Sequence, residues 1–162
     1  MGAVSEEFFK SLEIGKHYGE RPILQLIKIK HPDAIALEGY NKKGDILLPS
    51  HGVLIEVKVD KRSLKSGRFV VEIANDLKNT GKFEGSGLNR TESKYWIFSD
   101  TVNVFSVLAA DLKSFVMNLP IETWRGSLQN GQKENYPKKV KYVYLSDMLR
   151  LANKSFLNFP LT

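Results

Sequence analysis

Asp45 and Glu56, eleven positions apart, and Lys58, two positions further on, are the side chains best suited to do chemistry in this chain. Between them GDILL and VLIEVKV flank Pro49–Gly52, which reads as two β-rich runs joined by a tight loop. A hairpin that sets Leu48 opposite Val53 also sets Asp45 opposite Glu56. Directly opposed residues have β-carbons about 4.5 to 5.5 Å apart, so the two carboxylates would share a small volume. Lys58 falls on the face of Glu56 because side chains alternate along a strand, while Val53, Ile55, Val57 and Val59 supply an apolar opposite face. Adjacent carboxylates repel unless a cation or a proton compensates. Hard oxygen ligands suit Mg2+, with Mn2+ as a substitute. An ion held there would polarise a phosphate and acidify a bound water, and Lys58 could position that water or offset developing charge. The chemistry indicated is phosphodiester hydrolysis. Surface strands also carry Asp, Glu and Lys for no catalytic reason, and a one-residue slip in register would turn Asp45 to the other face.

The elements that must position these groups follow from periodicity. SEEFFKSLEI, from Ser5, has the cap and apolar spacing of an amphipathic helix, and Pro22 must kink a continuing helix or open a new one. AIALEG, GDILL and VLIEVKV form a β-meander broken by Gly39, Asn41, Pro49 and Gly52. RFVVEI is a further strand, followed over 75–93 by a long polar loop with room for a short helix. KYWIF and VNVFSV read as a hairpin, LAADLKSFVMN as a helix, KYVYL as a strand, and SDMLRLANK as a helix capped by Ser146.

The 162 residues fit a single domain spanning 1–162, and a chain near this length buries roughly two-thirds of its unfolded surface. Apolar content of 42% and charged content of 26% are those of a globular protein. No stretch reaches the roughly 18 apolar residues of a membrane span, and the acidic start is unlike a signal peptide; a cytoplasmic protein with no membrane partner is expected. With no cysteine, a metal must be held by oxygen or histidine. Net charge of +6 favours polyanionic partners. The cations gather in a loop with Lys61, Arg62, Lys65 and Arg68, and in a later run with Lys133, Lys138, Lys139 and Lys141. Such runs are either a nucleic-acid grip or a solvated surface.

GDI at 44–46 followed by EVK at 56–58, after a leading helix and within a β-meander, resembles the PD-(D/E)XK nuclease superfamily over roughly residues 5–118. The resemblance implies an α/β, restriction-endonuclease-like fold, with a mixed central sheet of four to five strands flanked by helices. It implies a magnesium-dependent deoxyribonuclease in which Asp45, Glu56 and the Val57 carbonyl hold the metal and Lys58 is the catalytic lysine. Glu20 stands where many relatives carry a helical acid near the metal; a solvent-facing helix position is the plain alternative.

Other acids and bases complete the expectation. Asp33 spells a literal PD after Pro32 but precedes the earlier strand, so it cannot face Glu56 in this hairpin. Glu72, on an apolar strand, either pairs with a lysine or lines the same cleft. Lys61, Arg62, Lys65 and Arg68 are candidates to grip phosphates flanking the scissile bond. Arg90 and Lys94 would add phosphate contacts beside Tyr95 and Trp96, which either stack on bases or pack in the core. His17, His31 and His51 show no metalloprotease or His-Asn-His pattern and read as surface or turn residues. DNA is the expected partner, and RNA would meet the same groups. The rivals are a non-catalytic nucleic-acid-binding module and a Holliday-junction resolvase, which should be a two-fold homodimer because two symmetric cuts need two sites.

Overall fold

The computed structural model describes residues 20–39, 43–124 and 136–152. The helix expected from Ser5 lies outside them. In chain order the elements are α1 (Glu20–Lys30), β1 (Ile35–Ala36), β2 (Ile46–Leu48), β3 (Val53–Val59), α2 (Ser63–Ser66), β4 (Arg68–Asn75), β5 (Glu84–Gly85), a 3-10 turn (Gly87–Asn89), β6 (Tyr95–Ser99), β7 (Val104–Leu108), α3 (Ala109–Val116), β8 (Glu122–Trp124), β9 (Lys138–Tyr144) and α4 (Leu145–Leu151). No helix among the described residues is long and apolar enough to cross a membrane.

Two sheets form instead of the single one expected. The first has five strands in the order β1-β2-β3-β6-β7, and the second has four in the order β5-β4-β9-β8. The meander β1-β2-β3 is antiparallel, as its short turns require, and its register is Leu48 opposite Val53 and Ile46 opposite Ile55. β6 then joins β3 in parallel, which puts Glu56 beside Trp96 and Lys58 beside Phe98. A parallel partner needs a long crossover, and here that crossover carries α2, β4 and β5. RFVVEI therefore leaves the first sheet and pairs with β9, with Phe69 opposite Val143 and Val71 opposite Lys141.

Alternation gives the first sheet two apolar faces. On one, Ile46, Leu48, Val53, Ile55, Val57, Tyr95 and Ile97 pack against Ile23 and Ile27 of α1. Burying each of those helix isoleucines contributes about 1.5–3 kcal/mol. Pro22 lies in the first turn of α1 as described, where its missing amide costs nothing. On the other face Trp96, Phe98, Phe105 and Val107 meet Phe69, Val71 and Val143 of the second sheet, closed by Leu112 and Val116 of α3 and Met148 of α4. The Phe69 ring lies 5.2 Å from that of Phe98 and 6.0 Å from that of Phe105.

Two local expectations are corrected, and the long polar segment shows the short helix expected in it together with a short strand that was not expected. α4 starts at Leu145 with Tyr144 as N-cap and no side-chain cap bond, so Ser146 lies inside its first turn. Lys141 is not part of a solvated run: it is buried, and its ammonium donates to the carbonyls of Val116, and of Met117 at 3.1 Å, where α3 ends. Those carbonyls lack helical partners and carry partial negative charge, so a buried lysine satisfies them. The long polar segment over 75–93 holds the short strand β5 and the 3-10 turn. Lys133 lies outside the described residues.

The β6–β7 hairpin turns on Asp100, whose carboxylate accepts the amides of Val102 (2.9 Å) and Asn103 (2.6 Å) and the side-chain amide of Asn103 (3.0 Å). Burial works against the charged form, but these donors outweigh it and hold the Asp100 carboxyl below its ordinary value.

Candidate active site

Asp45 stands one residue before β2, at a bend in the chain. Gly44 brings the chain into this position: a β-carbon there would lie 2.8 Å from Ser93 Oγ and 3.3 Å from Leu54 Cβ. The Asp45 amide donates to the Ile55 carbonyl at 2.9 Å, and its own carbonyl accepts the Leu37 amide at 2.8 Å. Its carboxylate, 5% exposed, accepts the Val57 amide at 2.7 Å. The side chain thus holds the start of β2 to β3 beyond the last strand pair, Ile46–Ile55, on the amide next to Glu56.

Glu56 projects from the middle of β3 on the Trp96 side of the sheet. Its Oε1 lies 2.6 Å from Lys58 Nζ, with side-chain exposures of 22% and 47%. The Lys58 ammonium also lies 5.4 Å from the Trp96 ring centre, and Trp96 is locked by donating its indole N–H to Thr91 Oγ1 at 3.0 Å. Sequence reasoning missed this aromatic floor. The parallel β3–β6 register that creates it has no local signal, since Glu56 and Trp96 are far apart in the chain.

The remaining candidates disperse. Glu72 sits on β4 of the second sheet, one residue from inward-facing Val71, so alternation turns it away from the first sheet. Its carboxylate pairs with Lys138 Nζ at 3.1 Å and accepts the Ser86 hydroxyl at 2.9 Å; of its two expected fates, the lysine partner is the one observed. Glu20 is the first residue of α1, and its side chain lies outside the described residues. Asp33 accepts the Ser50 amide at 3.0 Å and the Ser50 hydroxyl, apart from Glu56.

Among the cations, Lys61, Arg62 and Lys65 are exposed just past the end of β3. Arg62 is tied to Asp60 by its backbone amide at 2.9 Å and by its guanidinium at 3.6 Å. Arg68 instead stacks on Tyr142, 3.8 Å from ring centre to Cζ, on the outer face of the second sheet. Arg90 is exposed after the 3-10 turn, and Lys94 is half-buried with Nζ 5.9 Å from the Tyr95 ring. Tyr95 and Trp96 are buried at 0% and 2%, so neither offers a face for stacking on a base.

The donor set suits a hard divalent cation: one buried carboxylate fixed by a backbone amide, and one half-exposed carboxylate neutralised by a movable lysine. Among the described residues no cluster of three or more His, Asp or Glu groups is arranged around one point, so an ion here would be held by Asp45, Glu56 and non-side-chain oxygens. Comparison with known proteins gives no significant match to a family model, a curated protein or a solved structure. The likeness to PD-(D/E)XK nucleases therefore rests on these residues, their order and their register.

Proposed function

We propose that the chain is a divalent-metal-dependent deoxyribonuclease of the PD-(D/E)XK kind, acting in the cytoplasm, with the five-stranded sheet as its restriction-endonuclease-like core. The observation that supports this reading is the 2.6 Å contact of Lys58 with Glu56 on β3, next to the Val57 amide that holds the buried Asp45 carboxylate. The parallel pairing of β3 with β6 and the packing of α1 on the opposite face supply the frame.

In this reading Asp45, Glu56 and the Val57 carbonyl would hold Mg2+, or Mn2+ in its place. The bound ion supplies Lewis acidity toward a phosphate oxygen and a more acidic water. The hydrogen bond from the Val57 amide would fix the orientation of Asp45. Lys58 neutralises Glu56 in the free protein, and its half-exposed ammonium is long enough to turn to a phosphate, where it orients the attacking water or stabilises developing charge. Lys61, Arg62 and Lys65, at the same end of β3, would hold the flanking backbone. With Tyr95 and Trp96 in the core, binding rests on phosphate contacts, so it is salt-dependent and weakly sequence-selective.

The test is Mg2+-dependent cleavage of single-stranded, duplex, flap and branched DNA by wild type and by D45N, E56Q and K58M, each of which should lower the rate at least about a hundredfold with the fold intact. One observation favours a second reading, a non-catalytic nucleic-acid-binding module: Glu56 and Asp45 already have a lysine and an amide to satisfy them. That reading prevails if every substrate stays intact with Mg2+ and Mn2+ while binding weakens steeply with salt.

A further inference from the structure

The outer face of the second sheet carries aromatic and cationic side chains that the core does not use. Phe69, Val71 and Val143 point inward, so alternation turns Arg68, Val70, Tyr142 and Tyr144 outward. The register sets Arg68 opposite Tyr144 and Val70 opposite Tyr142. Tyr144 is 54% exposed, and neither tyrosine belongs to an apolar cluster. Arg68 Cζ lies 3.8 Å from the Tyr142 ring centre, a contact with the ring face that orients the guanidinium and leaves its N–H edges to a ligand. The backbone of Arg68 is also held: its amide donates to Ser66 Oγ at 3.3 Å, and its carbonyl accepts the Ser66 hydroxyl at 3.1 Å.

The basic loop over 61–65 adjoins this corner. Gly67 ends α2 at φ +69°, a left-handed conformation that favours glycine, and its carbonyl accepts the Leu145 amide at 3.0 Å. That bond ties the chain just after Lys65 to the residue just after Tyr144. Arg62 is shared with Asp60. Lys61, Lys65 and Arg68 have no carboxylate within ion-pair distance among the described residues. Asp147, in the first turn of α4, is paired with Arg150. The other acids of the face lie at its far end, where Glu72 pairs with Lys138 and exposed Glu122 stands opposite Val140.

Exposed rings alone are ordinary on a protein surface. Rings set beside unpaired cations match an unpaired nucleic-acid strand, which offers flat bases on a chain of phosphates. A duplex keeps its bases stacked inside and would meet this face with phosphates only. We propose that Arg68, Tyr142 and Tyr144 form a platform on which unpaired bases of single-stranded DNA stack, with Lys61 and Lys65 holding the adjoining phosphates. Tyr142 and Tyr144 stand about 6.8 Å apart along the strand, so successive unstacked bases can meet successive side chains. The choice of DNA rests on the nuclease reading. The platform does not, because Asp45, Glu56 and Lys58 take no part in it.

The experiment is fluorescence anisotropy of the full chain with labelled strands in EDTA, which reads binding without cleavage. Three probes of one length are compared: oligo(dT), an oligodeoxyribonucleotide whose sugars lack bases, and oligo(rU). Wild type should bind oligo(dT) at least about fivefold tighter than the abasic strand. Y142A and Y144A should each weaken oligo(dT) binding at least about fivefold with little change for the abasic strand, and Y144F should match wild type. R68K, which keeps the charge and loses the stack, should weaken oligo(dT) more than the abasic strand. K61Q/K65Q should weaken both strands and lower the salt slope by about 1.4. Circular dichroism checks that each variant is folded. Equal affinity of wild type for oligo(dT) and the abasic strand, or unchanged affinity of folded Y142A/Y144A, overturns the proposal. Tighter binding of oligo(rU) than of oligo(dT) assigns the face to RNA and overturns it, as does a dimer in sedimentation that Y144A dissociates. A base preference that persists in a chain cutting no substrate would sink the nuclease reading and leave the platform standing.

Discussion

Each of the two sheets holds a carboxylate paired with a lysine, and the two pairs differ in what surrounds them. Glu72 and Lys138 join neighbouring strands of the second sheet, with the Ser86 hydroxyl completing the set, and both side chains are largely covered, at 26% and 18% exposure. Gly87 presses on this group so closely that a β-carbon would lie 2.3 Å from the Glu72 carbonyl oxygen. The pair is closed in, with two partners on the carboxylate. Glu56 and Lys58 lie on one strand of the first sheet, the lysine is half exposed, and the carboxylate of Asp45 is held on the amide of the next residue, Val57. A lone ion pair lends a sheet modest stability, whereas a second acid placed next to it costs repulsion unless an ion shares the load. The two carboxylate–lysine pairs thus differ in their third neighbour, a serine hydroxyl for one and a second, amide-held carboxylate on the neighbouring strand's approach for the other, and in their access to solvent.

The comparison breaks most sharply in activity. E56Q, D45N and K58M should each reduce Mg2+-dependent cleavage at least about a hundredfold, a loss of about 2.7 kcal/mol in transition-state stabilisation, while E72Q should leave the rate per folded molecule unchanged. Equal losses from E72Q and E56Q would erase the distinction between the two pairs.

In stability the order reverses. Removing one member of a covered, hydrogen-bonded pair leaves the other unsatisfied, so E72Q or K138M should cost about 1–3 kcal/mol by urea denaturation. K58M should cost less than about 1 kcal/mol, since the lysine is half exposed. A double-mutant cycle on Glu72 and Lys138 should give a coupling several times that on Glu56 and Lys58.

How much of this was legible depends on the distance over which each feature is specified. The pairing of Leu48 with Val53 was readable from a four-residue loop and the alternation of Val53, Ile55 and Val57, and the one-residue slip that the same pattern left open did not occur there. The parallel β3–β6 contact, the second sheet and the Lys138 partner of Glu72 were not, because long-range pairing leaves no periodic trace in either segment. Lys141 looked like one more surface cation, and only the end of α3 explains its burial. Asp45 was named from the sequence, but its use of the Val57 amide was not, since that depends on how Gly44 fits against Ser93 and Leu54.

The smallest predicted effect concerns a carboxylate satisfied by amides alone, which isolates hydrogen bonding from ion pairing. Asp100 has a folded value below its ordinary 3.8, so its contribution is present above that pH and is lost as the pH falls through the lower folded value. The stability gap between wild type and D100N should therefore be full at about pH 7 and shrink below about pH 3.8. A gap independent of pH would mean that the turn donors do not favour the charged form.

The central claim is that Asp45 and Glu56 share a divalent cation, and a crystal soaked in Mn2+ tests it most directly. The account predicts an anomalous peak about 2 Å from one oxygen of each carboxylate, with Lys58 turned away from Glu56. A crystal saturated with Mn2+ near neutral pH that shows no peak there, and keeps the Glu56–Lys58 contact at 2.6 Å, would contradict it.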